Sequence, residues 1–204
     1  MRKLKLFSML LLLLIGAGQV WGAEEIYKTA LFGSSYNSQG ISSYSNSWYS
    51  TNDGFRVNIE NANNSNNAWT YIKMGSKSAA STGTITTNAA IDKAVTKVVL
   101  TIDAITTNSI NSITLKTSFN GSSWTNAGTF DKSTGAKIVT LSAPAASLYY
   151  KIEVDCKKDK NGLISISRVD YYQNTGGGSG NPTVFRRPFK KNFQSGLLYN
   201  IYKN

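Results

Sequence analysis

The sequence contains no histidine and a single cysteine, and these two shortages exclude several classes of enzyme and metal site. Without an imidazole, neither a Ser-His-Asp triad nor a Cys-His nucleophile can be assembled. One thiol and no imidazole cannot supply the ligands of an ordinary zinc site. Cys156 cannot form an internal disulfide. In YYKIEVDC (149–156) it shares alternation with apolar residues, which indicates a buried structural side chain.

Acidic residues are few as well, eleven in the chain, and their placement gives little support for carboxylate catalysis. A glycosidase holds two acids on either side of the bond that it breaks. The carboxylates available for such a pair are Asp103, Glu153, Asp155, Asp159 and Asp170. Glu153 and Asp155 fall on the outward face of their predicted strand beside Lys151, which is typical of a solvated strand face. We therefore predict that the protein is not an enzyme.

The sequence also lacks a phosphate-binding loop and a full metal-binding loop. TGGGSG (175–180) is glycine-rich but is not followed by Lys-Ser/Thr. A calcium ion held by aspartates and loop carbonyls is chemically feasible, yet DKNG (159–162) is far shorter than an EF-hand loop. We expect no cofactor and no metal.

The net charge of +11 does not describe the body of the chain. Three of the 22 basic residues lie in residues 1–22 and five lie in residues 184–204, which leaves fourteen basic and eleven acidic residues between these segments. A nucleic-acid groove needs a concentrated basic face. The nearly balanced body predicts that the protein has no nucleic-acid partner.

Only one long apolar run is present, and it lies at the start of the chain. Leu6 to Ile15 follow a basic segment and precede small residues ending at Gly22, which is the pattern of a secretory signal peptide. The run is short of the ~20 residues that a membrane-spanning helix needs. We predict that residues 1–22 are removed and that the protein is secreted, periplasmic or on the cell surface, without a membrane span. Export without disulfides fits a bacterial protein better than a small eukaryotic one.

Between residues 23 and 172 the sequence consists of short alternating runs separated by Ser, Thr, Asn and Gly. Alternation with β-branched and aromatic enrichment is the pattern of β-strands. Examples are FRVNIE (55–60), KVVLTIDAI (97–105), SITLKTSF (112–119) and YYKIEVDC (149–156). About ten such strands predict one all-β domain, an antiparallel β-sandwich of jelly-roll type.

The dipeptide Asn120-Gly121 predicts a two-residue hairpin turn, because a type I′ turn needs positive φ at both central positions. The second strand of this hairpin would run from about Ser123 to Phe130. Trp124 would then share a face with Phe130. We therefore interpret Trp124 as a core side chain rather than as a platform for a sugar ring, and we assign Trp69 to the core as well.

Other aromatic residues lie among serines and asparagines and are our candidates for ligand contact. Flat aromatic faces with amide and hydroxyl neighbours suit carbohydrate, although tyrosine and tryptophan also pack at sandwich edges. The candidate ligand-binding residues are Trp48, Tyr49, Tyr44, Asn63 and Asn66. The last two belong to NANNSNNAW (61–69), which predicts a long turn because asparagine tolerates left-handed backbone and bonds its own main chain.

The end of the chain changes in composition after the predicted sandwich. Residues 173–183 form a Gly/Ser linker, and residues 184–204 form a basic, apolar tail that is too short to build a core. We expect this tail to be the remnant of a further domain or the product of a changed reading frame. Docking of the tail on the sandwich is the alternative.

Two long segments carry a resemblance to a known family. WTYIKMGSKSAASTGTITTNAAIDKAVTKVVLTIDAI (69–105) and SLYYKIEVDCKKDKNGLISISRVDYY (147–172) resemble a galactose-binding-like, discoidin-like jelly-roll module of exported proteins of gut anaerobic bacteria. The hairpin SFNGSSWTNAGTF (118–130) belongs to the same pattern. The resemblance covers roughly residues 25–172 and implies non-catalytic adhesion or glycan binding outside the cell.

These observations together predict an exported, non-catalytic binding module that recognises a glycan or cell-surface polymer through loops at one end of the sandwich, as loops on rigid scaffolds often do. The alternative is a structural or assembly protein in which the C-terminal tail is the docking segment. The identity of the ligand and the oligomeric state stay open at this level.

Overall fold

The computed structural model of the protein describes residues 23–44 and 47–175. In this part the chain forms twelve β-strands, two short 3₁₀ helices and no α-helix. In chain order, strands β1 to β12 are Glu24–Leu31, Ser47–Asn52, Phe55–Glu60, Ala62–Asn63, Ile72–Met74, Ser81–Thr87, Val95–Ile105, Ile110–Ser118, Thr125–Thr129, Gly135–Thr140, Tyr149–Cys156 and Ile164–Asn174. The 3₁₀ helices are Ser34–Tyr36 and Thr107–Ser109. The all-β prediction is therefore confirmed.

The strands form two sheets. Sheet A has the order β10-β7-β12-β5-β4, and β1 also pairs with β12. Sheet B has the order β2-β3-β6-β11-β8-β9. Every strand pair in both sheets is antiparallel. The predicted antiparallel sandwich is confirmed, with two strands more than the expected ten.

The last eight strands have the connectivity of a jelly roll. The first of them pairs with the last (β5 with β12), the second with the seventh (β6 with β11), the third with the sixth (β7 with β10) and the fourth with the fifth (β8 with β9). This pairing is that of one long hairpin, and alternate pairs lie in opposite sheets because the hairpin is rolled up. Strands β1 to β4 then extend the two sheets at their edges.

The core lies between the sheets and follows the predicted alternation closely. On β11, Tyr150, Ile152, Val154 and Cys156 are all fully buried. They meet a matching set from sheet A, which includes Val98, Leu100, Ile102, Val169 and Tyr171. Burying an apolar side chain of this size contributes roughly 1.5–3 kcal/mol. The two inner faces are thus the main source of stability.

The alternation fails near the ends of two strands. Phe119 follows Ile113 and Leu115 in the period-two pattern, yet it is 76% exposed. The alternation breaks inside β8, where the register with β9 shifts between Leu115 and Lys116 and Ser118 is buried instead. Ala104 is also exposed, and the register between β7 and β12 shifts close to it, between Ser165 and Ile166. Such irregularities bend and twist a strand, so period-two counting no longer assigns the face.

The asparagine-rich segment (61–69) forms a turn only after residue 63, because Ala62–Asn63 form strand β4. Ser65, Asn66 and Asn67 have φ values of 54°, 52° and 70°, so three successive residues are left-handed. Asparagine adopts this conformation more readily than most residues, which explains the composition of the segment.

Asn64 holds this turn against the preceding loop. Its fully buried amide accepts hydrogen bonds from the main-chain N–H of Ile41 (2.8 Å) and of Asn67 (3.1 Å). It donates to the Gln39 carbonyl (2.9 Å) and to Asn67 Oδ1 (2.7 Å). The amide therefore satisfies main-chain groups of two segments that have no strand partner there.

The two ends of the described domain are adjacent. The Thr175 N–H and hydroxyl both donate to the Ala23 carbonyl, at 2.9 and 2.6 Å. Three predicted segments lie wholly or mostly outside the described residues: the signal peptide (1–22), positions 176–183 of the linker (173–183) and the tail (184–204). The first two linker positions, Gln173 and Asn174, belong to β12. In the part that is described, no helix is long and apolar enough to cross a membrane.

We predict that Asn64→Ala lowers the free energy of unfolding by about 3 kcal/mol, because it leaves buried main-chain groups without partners. Urea denaturation followed by circular dichroism measures the change. Asn108→Ala, at an exposed position, is the control and should stay within about 0.5 kcal/mol of the parent. Equal stability of the two variants would contradict the structural role of Asn64.

We also predict that Cys156 does not react in the folded protein. Burial, with a smaller contribution from the Asp155 charge, raises the pKa of its thiol to about 12, so the reactive thiolate is scarce at pH 8. Labelling with a chromogenic disulfide reagent should be slow in buffer and fast in urea. Rapid labelling without denaturant would show that the thiol is accessible.

Candidate functional site

Trp48, the first predicted ligand contact, belongs to the core. Its side chain is 3% exposed, and its indole N–H donates to the Ala62 carbonyl at 3.0 Å. Strand β2 turns Trp48 and Ser50 inward and leaves Tyr49 on the outside. The prediction that Trp48 binds a ligand is therefore wrong. The polar residues around Trp48 are misleading because most of them face outward, whereas Ser50 is buried and donates to the Leu31 carbonyl.

The other four predicted residues do not form one surface with Trp48. Tyr49 is half-buried on the outer face of sheet B, with the Arg56 guanidinium 3.9 Å from its ring centroid. Tyr44 is half-buried, and burial raises the pKa of its phenol. Asn63 is buried and accepts a hydrogen bond from the Ser65 N–H at 2.6 Å. Only Asn66 is exposed.

The hairpin at Asn120-Gly121 is wider than predicted. Strand β8 ends at Ser118 and β9 begins at Thr125, so the connection has six residues rather than two. Gly121 has a φ of 72°, and Asn120 is not left-handed. Instead, Asn120 Oδ1 accepts the N–H groups of Ser122 (2.9 Å) and Ser123 (2.8 Å). These side-chain bonds stabilise a broad loop in place of the type I′ turn.

The wide loop places Trp124 outside the sandwich. The indole lies above sheet B, with Lys151 Nζ 4.2 Å from its ring centroid. It is half-buried and is not part of the core cluster. The prediction that Trp124 is a core side chain is therefore wrong, because it assumed a two-residue turn and an unbroken alternation to Phe130.

A polar groove lies beside this indole on the outer face of sheet B. The groove, called here the Trp124 groove, has a volume of about 210 Å³. It is lined by Asn58, Glu60, Thr84, Thr86, Gly121, Trp124 and Lys151. The sheet register explains the set, since Asn58, Thr86 and Lys151 form one cross-strand row over β3, β6 and β11. Glu60 and Thr84 belong to the next row, which continues to Glu153 on β11.

Ion pairs fix the charged side chains of this face. Glu153 is paired with Lys116 and, at 3.5 Å, with Lys151. Lys151 is thus held between a carboxylate and the Trp124 ring, an arrangement that combines an ion pair with a cation–π contact. Across the groove, Glu60 Oε2 accepts the Thr84 hydroxyl at 3.4 Å. The groove therefore offers an aromatic ring together with oriented hydrogen-bond donors and acceptors.

The remaining carboxylates named in the sequence have local partners. Asp103 accepts from Ser167 (3.0 Å), Asp155 from Asn111 (3.2 Å), Asp159 from Ser109 (2.5 Å) and Asp170 from Thr29 (2.7 Å) and Arg168 (2.6 Å). Among residues 23–44 and 47–175, no three acidic or cysteine side chains cluster as metal ligands would. These contacts link strands and loops to one another.

Trp69, the second tryptophan assigned to the core, is also half-buried outside it. Tyr71 stacks on its ring with a centroid distance of 5.3 Å and an interplanar angle of 15°. Lys73 Nζ lies 4.4 Å from the same ring. Trp69 therefore resembles Trp124 in exposure and in its lysine contact, but its ring is already stacked on a neighbouring aromatic side chain.

Comparison with known proteins does not assign a family or a function to this chain. No protein-family model matches the chain, and no curated protein is similar enough in sequence to count as a relative. The Trp124 groove is therefore a candidate site only on the basis of its shape and its lining residues. Sequence reasoning misses it because its members come from three strands and one loop, and only the sheet register brings them together.

We predict that two tryptophan variants lose stability to very different extents. Trp48→Ala should lower the free energy of unfolding by about 3–5 kcal/mol, because it opens a cavity in the core. Trp124→Ala should lower it by about 1 kcal/mol or less, because it removes only an outer cation–π contact. Chemical denaturation of both variants measures the difference. A large loss in Trp124→Ala would mean that this indole contributes to the fold.

Proposed function

We propose that the protein is a non-catalytic glycan-binding module and that it holds its ligand in the Trp124 groove. The observation that carries the proposal is the indole of Trp124, held outside the core beside a row of amide, hydroxyl and charged groups on sheet B. The proposal keeps the predicted ligand class and moves the site from the end loops to the face of a sheet.

The chemistry of the groove matches that of a sugar. A pyranose has apolar C–H faces, which pack on an aromatic ring, and a rim of hydroxyl groups, which both donate and accept hydrogen bonds. Asn58 offers a donor and an acceptor, Glu60 offers acceptors and Lys151 offers donors. Threonine hydroxyls can take either role. A shallow polar site of this kind binds through direct and water-mediated hydrogen bonds without being weak.

The groove is also rigid, which favours binding. All of its side chains except that of Trp124 stand on paired strands, and Lys151 is held by both Glu153 and Trp124. Groups that are already ordered lose little conformational entropy when a ligand arrives. Asn120 orders the loop that carries Trp124 through its bonds to Ser122 and Ser123.

The competing explanation is that Trp124 only covers the Lys151–Glu153 pair. Removing water from such a pair strengthens its attraction, so a covering ring has a structural use of its own. The two explanations differ in what the ring does for an added ligand. Binding and stability of the same variants therefore separate them.

Export and family membership remain part of the proposal. The resemblance to galactose-binding-like, discoidin-like modules supports a jelly roll that acts outside the cell, where glycans and cell-surface polymers are available. We place the ligand on the outer face of sheet B because two of the five predicted contact residues, Trp48 and Asn63, are buried.

Affinity electrophoresis tests the proposal, in gels that contain mixed-linkage β-glucan, xylan, galactomannan or polygalacturonate. We expect at least one polymer to retard the parent protein and Trp124→Ala to migrate as it does in an empty gel. Trp69→Ala is the matched control, since it removes another half-buried, lysine-contacting indole, and it should stay retarded. Equal retardation of parent and Trp124→Ala, or no retardation in any gel, would refute the proposal.

A further inference from the structure

A second cleft lies at the end of the sandwich next to the Trp124 groove. This end cleft has a volume of about 290 Å³. It is lined by Lys28, Gly54, Phe55, Arg56, Asn88, Ala89, Ala90, Ile91 and Asp92. These residues come from β1, from the turn and start of β3, and from the connection between β6 and β7.

The end cleft and the Trp124 groove are joined by direct contacts. Asn58 Nδ2, which lines the groove, donates to Oδ1 of Asn88, which lines the end cleft, at 3.2 Å. The Asn88 N–H donates to the Arg56 carbonyl at 3.0 Å. Arg56 and Asn58 stand two positions apart on β3, so their side chains share the outer face. One polar surface therefore passes from the groove into the cleft.

Resting on the proposed function, we infer that the Trp124 groove and the end cleft form one continuous track that binds several consecutive units of a linear polysaccharide. The ligand class is thus an extended chain, held along its length, rather than a single terminal sugar. The groove contains the Trp124 ring, and the end cleft supplies contacts for the units that follow.

The dimensions of the track support a chain. From Lys151 to Asn58 it crosses two strand spacings, about 10 Å. From Asn58 it then runs back along β3 to Gly54 in the preceding turn, four positions or about 13 Å. This path is longer than one sugar ring. The groove alone is smaller than most small-molecule pockets, which start at about 300 Å³, whereas the groove and the cleft together fall within that range.

The end cleft has the groups that further sugar units need. Phe55 gives it an aromatic surface, and the ring is supported from inside by Tyr171 in an edge-to-face contact at 5.5 Å. Lys28 and Arg56 are donors. Asp92 accepts the Tyr27 hydroxyl at 2.6 Å, and this bond lowers the pKa of the Asp92 carboxyl, so that it stays a charged acceptor.

Calorimetric titration tests the track, with oligomers of glucose, xylose, mannose and galacturonate from the monosaccharide to the octasaccharide. For the series that binds, we expect affinity to rise by about tenfold or more between the disaccharide and the hexasaccharide. Ala89→Trp places a bulky side chain at the exposed rim of the end cleft and should remove this rise. Ala79→Trp, exposed in the connection between β5 and β6, is the matched control and should keep it.

The outcomes separate this inference from the proposed function. Suppose that Trp124→Ala abolishes binding, and that the affinity of the parent and of Ala89→Trp does not change with the length of the oligomer. The continuous track would then be wrong, and the groove would still be a glycan site. If no oligomer binds the parent protein, both the proposed function and the track are refuted. Arg56→Ala is a second variant that tests the track by removing a donor, and it too should reduce the gain in affinity with length.

Discussion

Contact between the apolar inner faces of sheets A and B is the interaction on which the rest of the structure depends. It arises because the rolled hairpin stacks two sheets whose strands alternate apolar and polar residues. Apolar side chains such as Ile152 and Leu100 therefore fill one layer between the sheets. Both β11 and β12 are central strands with partners on either side. With the inner layer filled by apolar side chains, the polar positions of the same strands face outward, and they are the surface on which a ligand can be recognised.

The outer face of sheet B acquires its character from a loop rather than from a strand. Apart from Tyr49 and Tyr149, its strand residues are small, amidic or charged, as expected for a solvated face, and they alone would not single it out. The six-residue connection between β8 and β9 bends Trp124 over Lys151, and Asn120 stabilises that bend through main-chain bonds. A rigid polar sheet and one aromatic side chain from a neighbouring loop together make the candidate site.

The sequence is sufficient to predict the fold class, because alternation is a local property that holds throughout β11 and over most of β7 and β8. It also indicated the burial of Cys156 and the left-handed turn at residues 65–67. The structure reverses the predicted positions of the tryptophans. Trp48 lies in the core, and both Trp69 and Trp124 lie outside it. Trp48 is buried on a regular strand, β2, whose polar neighbours concealed its inward face. Trp69 and Trp124 lie in loops, where period-two counting does not apply. The groove depends on pairing between distant strands, which one sequence alone does not specify.

The adjacency of Ala23 and Thr175 has a mechanical consequence. The two ends of the domain lie side by side on the antiparallel pair β1 and β12. A force that pulls these ends apart would therefore separate the two strands one hydrogen bond at a time. The domain is therefore suited to a position that carries no tensile force, and poorly suited to bear force between its two ends. The same adjacency would let it be inserted into a surface loop of a host protein without separating the two sides of that loop.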